Sequence, residues 1–175
     1  GASLGLSEPI RVGNETVDRL SYHLHNYDPH MAPAGKTAIT CMFMTGYEYW
    51  KDLSADRERY EAEKEAIGDA VVKALDGRFP GLAALVEMVD VATPVTFERY
   101  TGNWKASFEG WLPAPSNLTA SLRKTLPGLD GFYMAGQWVA PGGGLPSGVM
   151  TGREVVQLMC HADKRRFRAT APPTR

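Results

Sequence analysis

The stretch GFYMAGQWVAPGGGLPSGVMTG, residues 131–152, runs from an apolar segment through three consecutive glycines into a sequence of helical character. Its first part predicts a short strand over 131–136 that ends in glycine. The glycines at 142–144 allow backbone conformations that a β-carbon would forbid. Pro146 suits the first turn of a helix, where its missing N–H is not needed. The segment therefore predicts a strand, a glycine turn and a helix that continues to about residue 160.

The start of this helix has two interpretations. Free backbone N–H groups and a positive partial charge at a helix N-terminus favour binding of an anionic or electron-rich planar group. The alternative is a tight structural turn that binds nothing, and glycine spacing alone does not separate the two. The chain contains neither a G-x-G-x-x-G fingerprint nor a P-loop. A complete dinucleotide-binding motif is therefore not expected in this sequence.

The composition is that of an ordinary globular chain. With 175 residues, 43% of them hydrophobic, it can bury one substantial core. The formal net charge is -1 with mixed signs, which gives no indication of a nucleic-acid-binding surface, so we expect no nucleic-acid partner. No apolar run approaches the roughly 18 residues of a membrane span. The two cysteines, Cys41 and Cys160, match no metal or redox spacing, which predicts reduced thiols and a cytoplasmic location.

Three segments have the character of strands. Residues 16–25 alternate in polarity, and residues 37–45 are rich in apolar and β-branched side chains. The loop between them contains two prolines and a glycine, so the two segments predict an antiparallel pair. A third strand is predicted over 85–94, with Val86 and Met88 buried.

Helices are predicted between and after these strands, which gives an α+β fold with a mixed or antiparallel sheet. The clearest covers 54–75, with Ser54 as its N-cap and Gly77 just past its end. A short helical turn follows Pro94. The apolar stripe of the first helix comprises Tyr60, Ile67, Val71, Ala74 and Leu75. The predicted buried side of the last helix comprises Val149, Val155, Val156 and Met159.

An aromatic-rich stretch at 100–118 also has two interpretations. It contains Tyr100, Trp104, Phe108 and Trp111 among glycines and prolines. Such a loop can cover the edge of a core, or it can form the wall of a cavity for a flat or lipophilic ligand.

Other candidate sites carry weaker signals. His23 and His25 share one strand face and are followed by Asp28 and His30, which leaves a metal site open beside ordinary surface roles and a substrate-cavity role. Ser107 and Ser147 lack a nucleophile-elbow context such as G-x-S-x-G, so hydrolase chemistry at these serines is not expected. The basic run KRRFR at 164–168 is interpreted as a solvated tail, with contact to an anionic membrane as the alternative.

Three segments carry a resemblance to a known family. GFYMAGQWVAPGGGLPSGVMTGREVVQLMC at 131–160 resembles the flavin-contacting C-terminal segment of the phytoene desaturase and carotenoid isomerase family. These are FAD-dependent oxidoreductases that include the retinol saturases. NYDPHMAPAGKTAIT at 26–40 and ATPVTFERYTGNWKASFEGW at 92–111 are similar to segments of the same family, in the same order.

The resemblance implies a domain organisation. Residues 1–128 would be part of the substrate domain, 129–163 a strand–turn–helix unit of the flavin domain, and 164–175 a disordered basic tail. The N-terminal FAD-binding domain of the family is missing. The chain would therefore be a C-terminal portion, either a fragment or one half of a split enzyme, with FAD as cofactor of the complete enzyme.

The resemblance also implies site residues. Gly136 and Gln137 would lie near the ribityl and phosphate groups of FAD. The isoalloxazine ring would lie against Gly143, Gly144, Leu145, Pro146 and Ser147. Some relatives carry an acidic residue where Gln137 stands, so a carboxylate role there is not expected. The candidate substrate-cavity residues are His25, Tyr27, Tyr100, Trp104, Phe108 and Trp111. No catalytic residue and no metal ligand is assigned.

The function implied is hydride transfer between a lipophilic substrate and flavin, with the chain inactive on its own. Two alternatives stay open: a non-enzymatic module that binds an apolar ligand or a protein, and a subunit that completes a flavin site with a separate chain. We also predict a homodimer formed through the exposed edge of the strand at 131–136. A peripheral membrane location is the alternative to a purely cytoplasmic one.

Overall fold

The computed structural model describes residues 1–112, 114–117, 120 and 122–169. Two compact units can be distinguished, Gly1–Ala106 and a second that begins at Ser107. The fold is α+β, as predicted, with a three-stranded antiparallel sheet and four α-helices in the described part. Within these residues, none of the helices combines the length and the apolar character that crossing a membrane requires.

The sheet lies in the first unit and has the order β1-β2-β3. Strand β1 (Ala2–Val12) pairs antiparallel with β2 (Glu15–Leu24), and β2 pairs antiparallel with β3 (Ile39–Cys41). The register of the first pair shifts between Gly5 and Ile10. The predicted antiparallel pair is confirmed as β2 and β3, although β3 is shorter than the predicted strand 37–45. Strand β1 was not predicted.

Helix α1 (Tyr47–Leu53) and helix α2 (Arg57–Arg78) follow the sheet. The side chain of Asp56 accepts the N–H of Arg59 at 3.2 Å and caps α2, so the predicted N-cap at Ser54 is wrong. Ser54 instead ends α1, and its hydroxyl donates to the carbonyl of Lys51 at 2.7 Å. Gly77 lies inside α2 rather than past its end, because the helix continues for three residues beyond the predicted end at Leu75.

The predicted strand over 85–94 is wrong. A single turn of 3₁₀ helix, Ala83–Leu85, is followed by irregular backbone, and Met88 is 84% exposed. A Cβ on Gly68 of α2 would lie 2.9 Å from Val89, so the segment packs against the helix at this glycine. Val89 and Val91 lie against this glycine without joining the sheet.

The predicted helical turn after Pro94 is confirmed as α3 (Pro94–Thr101). Thr93 and Thr96 form a reciprocal capping box at its start, and Gly102 ends it in the left-handed conformation. A 3₁₀ turn at Trp104–Ala106 then closes the first unit.

The core of the first unit lies between the inner face of the sheet and α2. One buried cluster joins Trp50 of α1 to Ile67 of α2 and to strand β1, and a second joins Leu20 and Tyr22 of β2 to Leu75. All five predicted apolar residues of α2 are buried or half-buried, as expected from their spacing: Tyr60, Ile67, Val71, Ala74 and Leu75.

The second unit contains α4 (Gly144–Ala162), which confirms the predicted last helix. The predicted strand at 131–136 is wrong, because only Tyr133 forms an isolated bridge, with Thr125. Gly131 and Gly136 have φ angles of +74° and +123°, which interrupt extended backbone at both ends of the segment. The strand edge expected at 131–136 is therefore not formed, and the homodimer itself stays a prediction.

The basic segment after α4 is described as far as residue 169. Residues 165–169 form neither helix nor strand, and the Arg153 guanidinium lies 5.3 Å from the centre of the Phe167 ring. The predicted disorder of the tail stays a prediction, and residues 170–175 lie outside the described part of the chain.

Candidate functional site

The glycine turn, Gly142–Gly144, leads directly into α4. The φ angles of its three residues are +93°, +57° and +69°, all in the region that favours glycine. Gly143 occupies the N-cap position, and no side chain caps the helix start there. The first turn of α4 therefore presents backbone N–H groups that no side-chain cap occupies.

A second stretch of backbone lies against this turn. A Cβ built on Gly143 would lie 1.4 Å from the carbonyl oxygen of Glu109, and one built on Gly110 would lie 2.6 Å from the Cα of Gly143. The two main chains are thus in direct contact, and both glycines are required for that contact. The contact between residues 109–110 and the glycine turn was not predicted from the sequence, although Gly110 is a residue type that permits such a close approach.

Side-chain and main-chain hydrogen bonds join the same two stretches. The Gln137 amide donates to the carbonyl of Phe108 at 3.2 Å, and the Trp111 indole N–H donates to the carbonyl of Trp138 at 2.7 Å. The Gly142 N–H donates to the carbonyl of Trp111 at 3.2 Å. Two of the predicted cavity aromatics, Phe108 and Trp111, therefore lie beside the predicted cofactor-contacting segment.

Thr151 connects the residues before the glycine turn to the helix after it. Its side chain is buried, with 1% of the residue exposed. The Gly136 N–H donates to the Thr151 hydroxyl oxygen at 2.9 Å, and the hydroxyl lies 2.7 Å from the carbonyl oxygen of Ser147. Sequence reasoning missed Thr151, because a threonine inside a helical segment gives no signal of such a role.

Helix α4 has a buried side and an exposed apolar side. Ser147, Thr151 and Val155 are buried within the second unit. Of the four residues predicted to be buried, only Val155 is. The outer face of α4 comprises Leu145, Val149, Val156 and Met159, which are 87%, 73%, 46% and 44% exposed. The prediction failed for Val149, Val156 and Met159 because the buried side of the helix includes two hydroxyl residues, Ser147 and Thr151, which the spacing of apolar residues does not identify.

The other predicted cavity residues lie in the first unit. His25 bonds through Nε2 to the Thr40 hydroxyl at 2.9 Å, and the Tyr27 hydroxyl lies 3.4 Å from His25 Nδ1. Tyr100 and Trp104 are 78% and 77% exposed. The cavity role of these four aromatic residues stays a prediction.

The histidine-rich segment was the candidate metal site. In the part of the chain that the structure describes, no three His, Cys, Asp or Glu side chains converge in a way that could hold a metal ion. Asp28 accepts from the backbone N–H and the ring of His30, at 2.9 and 3.0 Å, and these hydrogen bonds lower the pKa of Asp28. The Asp28 carboxylate thus stabilises the turn between residues 28 and 30.

A charged cluster joins α1 to α3. Glu98 accepts from Lys51 at 2.8 Å and from the Tyr47 hydroxyl at 2.7 Å. These hydrogen bonds, the one from Lys51 first, hold the pKa of Glu98 below its ordinary value. They raise the pKa of Lys51 and of Tyr47. Burial raises the pKa of the Cys41 thiol, which makes it a poor nucleophile.

Comparison with known proteins finds carotenoid enzymes. The chain is 29% identical over 141 residues to the chloroplastic prolycopene isomerase of Daucus carota, which covers 73% of this chain and 21% of the relative. It is 30% identical over 141 residues to chloroplastic prolycopene isomerase 2 of an Oncidium hybrid cultivar, covering 73% of this chain and 22% of the relative. To the neurosporene-forming phytoene desaturase of Rhodobacter capsulatus it is 28% identical over 173 residues, covering 90% of this chain and 30% of the relative.

This chain is homologous to the carotenoid desaturases and isomerases. The resemblance recognised in the sequence is therefore confirmed over most of the chain. The chain spans between about a fifth and a third of the length of the curated relatives it matches. No family model matches the chain. No solved structure matches it either.

Proposed function

We propose that this chain supplies the flavin-contacting turn and helix, and part of the substrate domain, of an FAD-dependent oxidoreductase. The observation that carries the proposal is the glycine turn that leads into an uncapped helix start in a homologue of carotenoid desaturases and isomerases. The lipophilic substrate is inferred from these relatives. Its chemical class is that of a long conjugated or unsaturated hydrocarbon.

The residues around the turn fit a flavin. Gly136 has open space beside it, since a Cβ there would have no neighbour within 4 Å. Leu145 is 87% exposed and offers an apolar surface at the first turn of α4. The N–H groups of that turn and the helix dipole favour negative charge. The Glu109 carboxylate is one negative group beside this turn, with Oε1 3.5 Å from the position of a Cβ on Gly144. Gly143 contributes by its conformation, because its own Cβ direction faces the Glu109 backbone.

The residues of this chain would orient the cofactor and shape its surroundings. Flavin supplies the hydride chemistry when bound, and the protein supplies orientation and electrostatics. The start of α4 would stabilise negative charge on the group bound there. Phe108 and Trp111, which lie beside the turn and are about half exposed, would form part of an apolar wall.

A dinucleotide-binding domain, in the same or a separate chain, would cover the outer face of α4. Large apolar side chains on the exposed side of a helix are typical of a surface that another element covers. The opposite side of α4 is buried, and the apolar outer face remains exposed in the described structure. We therefore propose that this chain is inactive until such a domain completes the flavin site.

The test is a titration of the chain with FAD, followed by flavin fluorescence and absorbance. We expect micromolar binding with a perturbed flavin spectrum. Leu145→Glu adds a negative charge at an exposed position of the helix start and should weaken binding by about tenfold. Val156→Glu makes a similar change about 16 Å further along the same face and serves as the matched control.

Two outcomes would count against this function. Equal loss of affinity in both variants would show that binding does not use the helix start. No binding at millimolar FAD would remove the flavin site from this chain and favour the non-enzymatic module, for which the exposed outer face of α4 is the supporting observation.

A further inference from the structure

The Thr151 hydroxyl lies among backbone groups from two segments. It accepts the N–H of Gly136 at 2.9 Å. Three carbonyl oxygens lie within reach of its own proton: those of Ser147 at 2.7 Å, Gly136 at 3.1 Å and Gly148 at 3.2 Å. A hydroxyl has one proton, so it donates to one of these at a time, and Ser147 is at the shortest distance.

We propose that Thr151 is a positioning residue that holds Gly136 and the first turn of α4 as one rigid unit. Its role toward a cofactor rests on the function proposed above. Gly136 and Ser147 stand on opposite sides of the glycine turn in the sequence, and both belong to the predicted cofactor-contacting set. A path of two hydrogen bonds, from the Gly136 N–H to the Thr151 hydroxyl and from that hydroxyl to the Ser147 carbonyl, links the two residues.

The conformation of Gly136 explains why such a link is needed. Its φ of 123° and ψ of 179° lie in a region that is accessible essentially to glycine alone. Glycine also has the greatest backbone freedom of any residue, so the turn must be held by interactions from outside. Thr151 supplies one from a buried position on a regular helix, which is a rigid element.

The hydroxyl, not the shape of the side chain, carries this role. Valine has nearly the same shape as threonine but leaves the half-buried Gly136 N–H without its acceptor, and a donor that loses its partner is costly to stability. Serine keeps the hydroxyl and loses a methyl group. Comparison of Thr151→Val with Thr151→Ser therefore separates the hydrogen bond from the packing.

The experiment is amide hydrogen exchange of the intact chain, resolved at Gly136 and at the first turn of α4. In Thr151→Val we expect the Gly136 amide to exchange about tenfold faster than in the wild type. In Thr151→Ser we expect a rate within about threefold of the wild type. Thr16→Val, at an exposed position of β2, is the control for the substitution itself and should change neither site.

FAD titration of the same variants gives a second readout. If the wild type binds FAD, Thr151→Val should weaken binding by about tenfold and Thr151→Ser should restore it. If the wild type does not bind FAD, the proposed function fails for the isolated chain, and hydrogen exchange alone decides the link. Unchanged Gly136 exchange in Thr151→Val, or equal effects of valine and serine, would overturn the inference.

Discussion

Replacing Gly143 by alanine should strongly destabilise the second unit. The new Cβ would lie 1.4 Å from the carbonyl oxygen of Glu109 and 2.4 Å from its carbonyl carbon. Both neighbours are main-chain atoms, so no side-chain rotation relieves the overlap and the two backbones must separate. The φ and ψ of 57° and -161° add strain of about 1–3 kcal/mol for a non-glycine residue. With the lost backbone contact, we expect a total of about 3–5 kcal/mol in the free energy of unfolding.

The same substitution at Gly77 is the matched control. Gly77 lies inside α2 with ordinary helical backbone, and a Cβ there would have no neighbour within 4 Å. Gly77→Ala should therefore stabilise the first unit by about 0.5–1 kcal/mol. Urea unfolding gives both free energies, and peptide-resolved hydrogen exchange assigns each change to its unit. A Gly143→Ala protein within about 0.5 kcal/mol of the wild type would refute the backbone-contact argument.

Two further predictions concern the first unit. The lowered pKa of Glu98 means that its contribution to stability is present at neutral pH and is lost as the pH falls below the ordinary range of a glutamate, through its folded-state value. Glu98→Gln should be less stable than the wild type at pH 7, and its urea midpoint should fall less steeply as the pH is lowered. If the urea midpoints of the two proteins fall in parallel with pH, Glu98 does not make this contribution. Trp50 is 1% exposed, so Trp50→Ala should lower the free energy of unfolding by about 3–5 kcal/mol. A loss below about 1 kcal/mol in chemical unfolding would show that this residue is not central to the core.

The sequence was most informative about where helices occur, and less about their caps and buried sides. The spacing of apolar residues predicted α2, Pro94 predicted α3, and the glycine turn followed by Pro146 predicted α4. The strand predicted over 85–94 does not form, and these residues do not pair with the sheet. Val89 packs beside Gly68 of α2 instead, and that contact between residues distant in the sequence has no local signal.

Strand β1 shows the opposite failure. Its sequence, ASLGLSEPIRV, is interrupted by glycine and proline, and its register shifts between Gly5 and Ile10. These features broke the alternation that a strand normally displays, so the segment was not predicted although it forms the longest pairing in the sheet.

The candidate site was predictable in part. The glycine turn and the helix start follow from the sequence of residues 142–146 and from the family resemblance. Glu109, Gly110 and Thr151 were missed because their roles depend on contacts with residues far away in the sequence. A single sequence shows where a glycine permits a close approach, but not which segment of the backbone approaches it.

At Glu109, the main chain and the side chain have separate effects on the start of α4: the main chain packs against Gly143, and the side chain carries a charge. The close approach uses the main-chain carbonyl of Glu109, while the Glu109 carboxylate lies on the helix side, with Oε1 3.5 Å from the position of a Cβ on Gly144. The side chain at 109 can therefore be exchanged without altering the main-chain packing that shapes the turn. For protein engineering, position 109 is a place where the electric field at the start of α4 can be adjusted independently of the architecture around it.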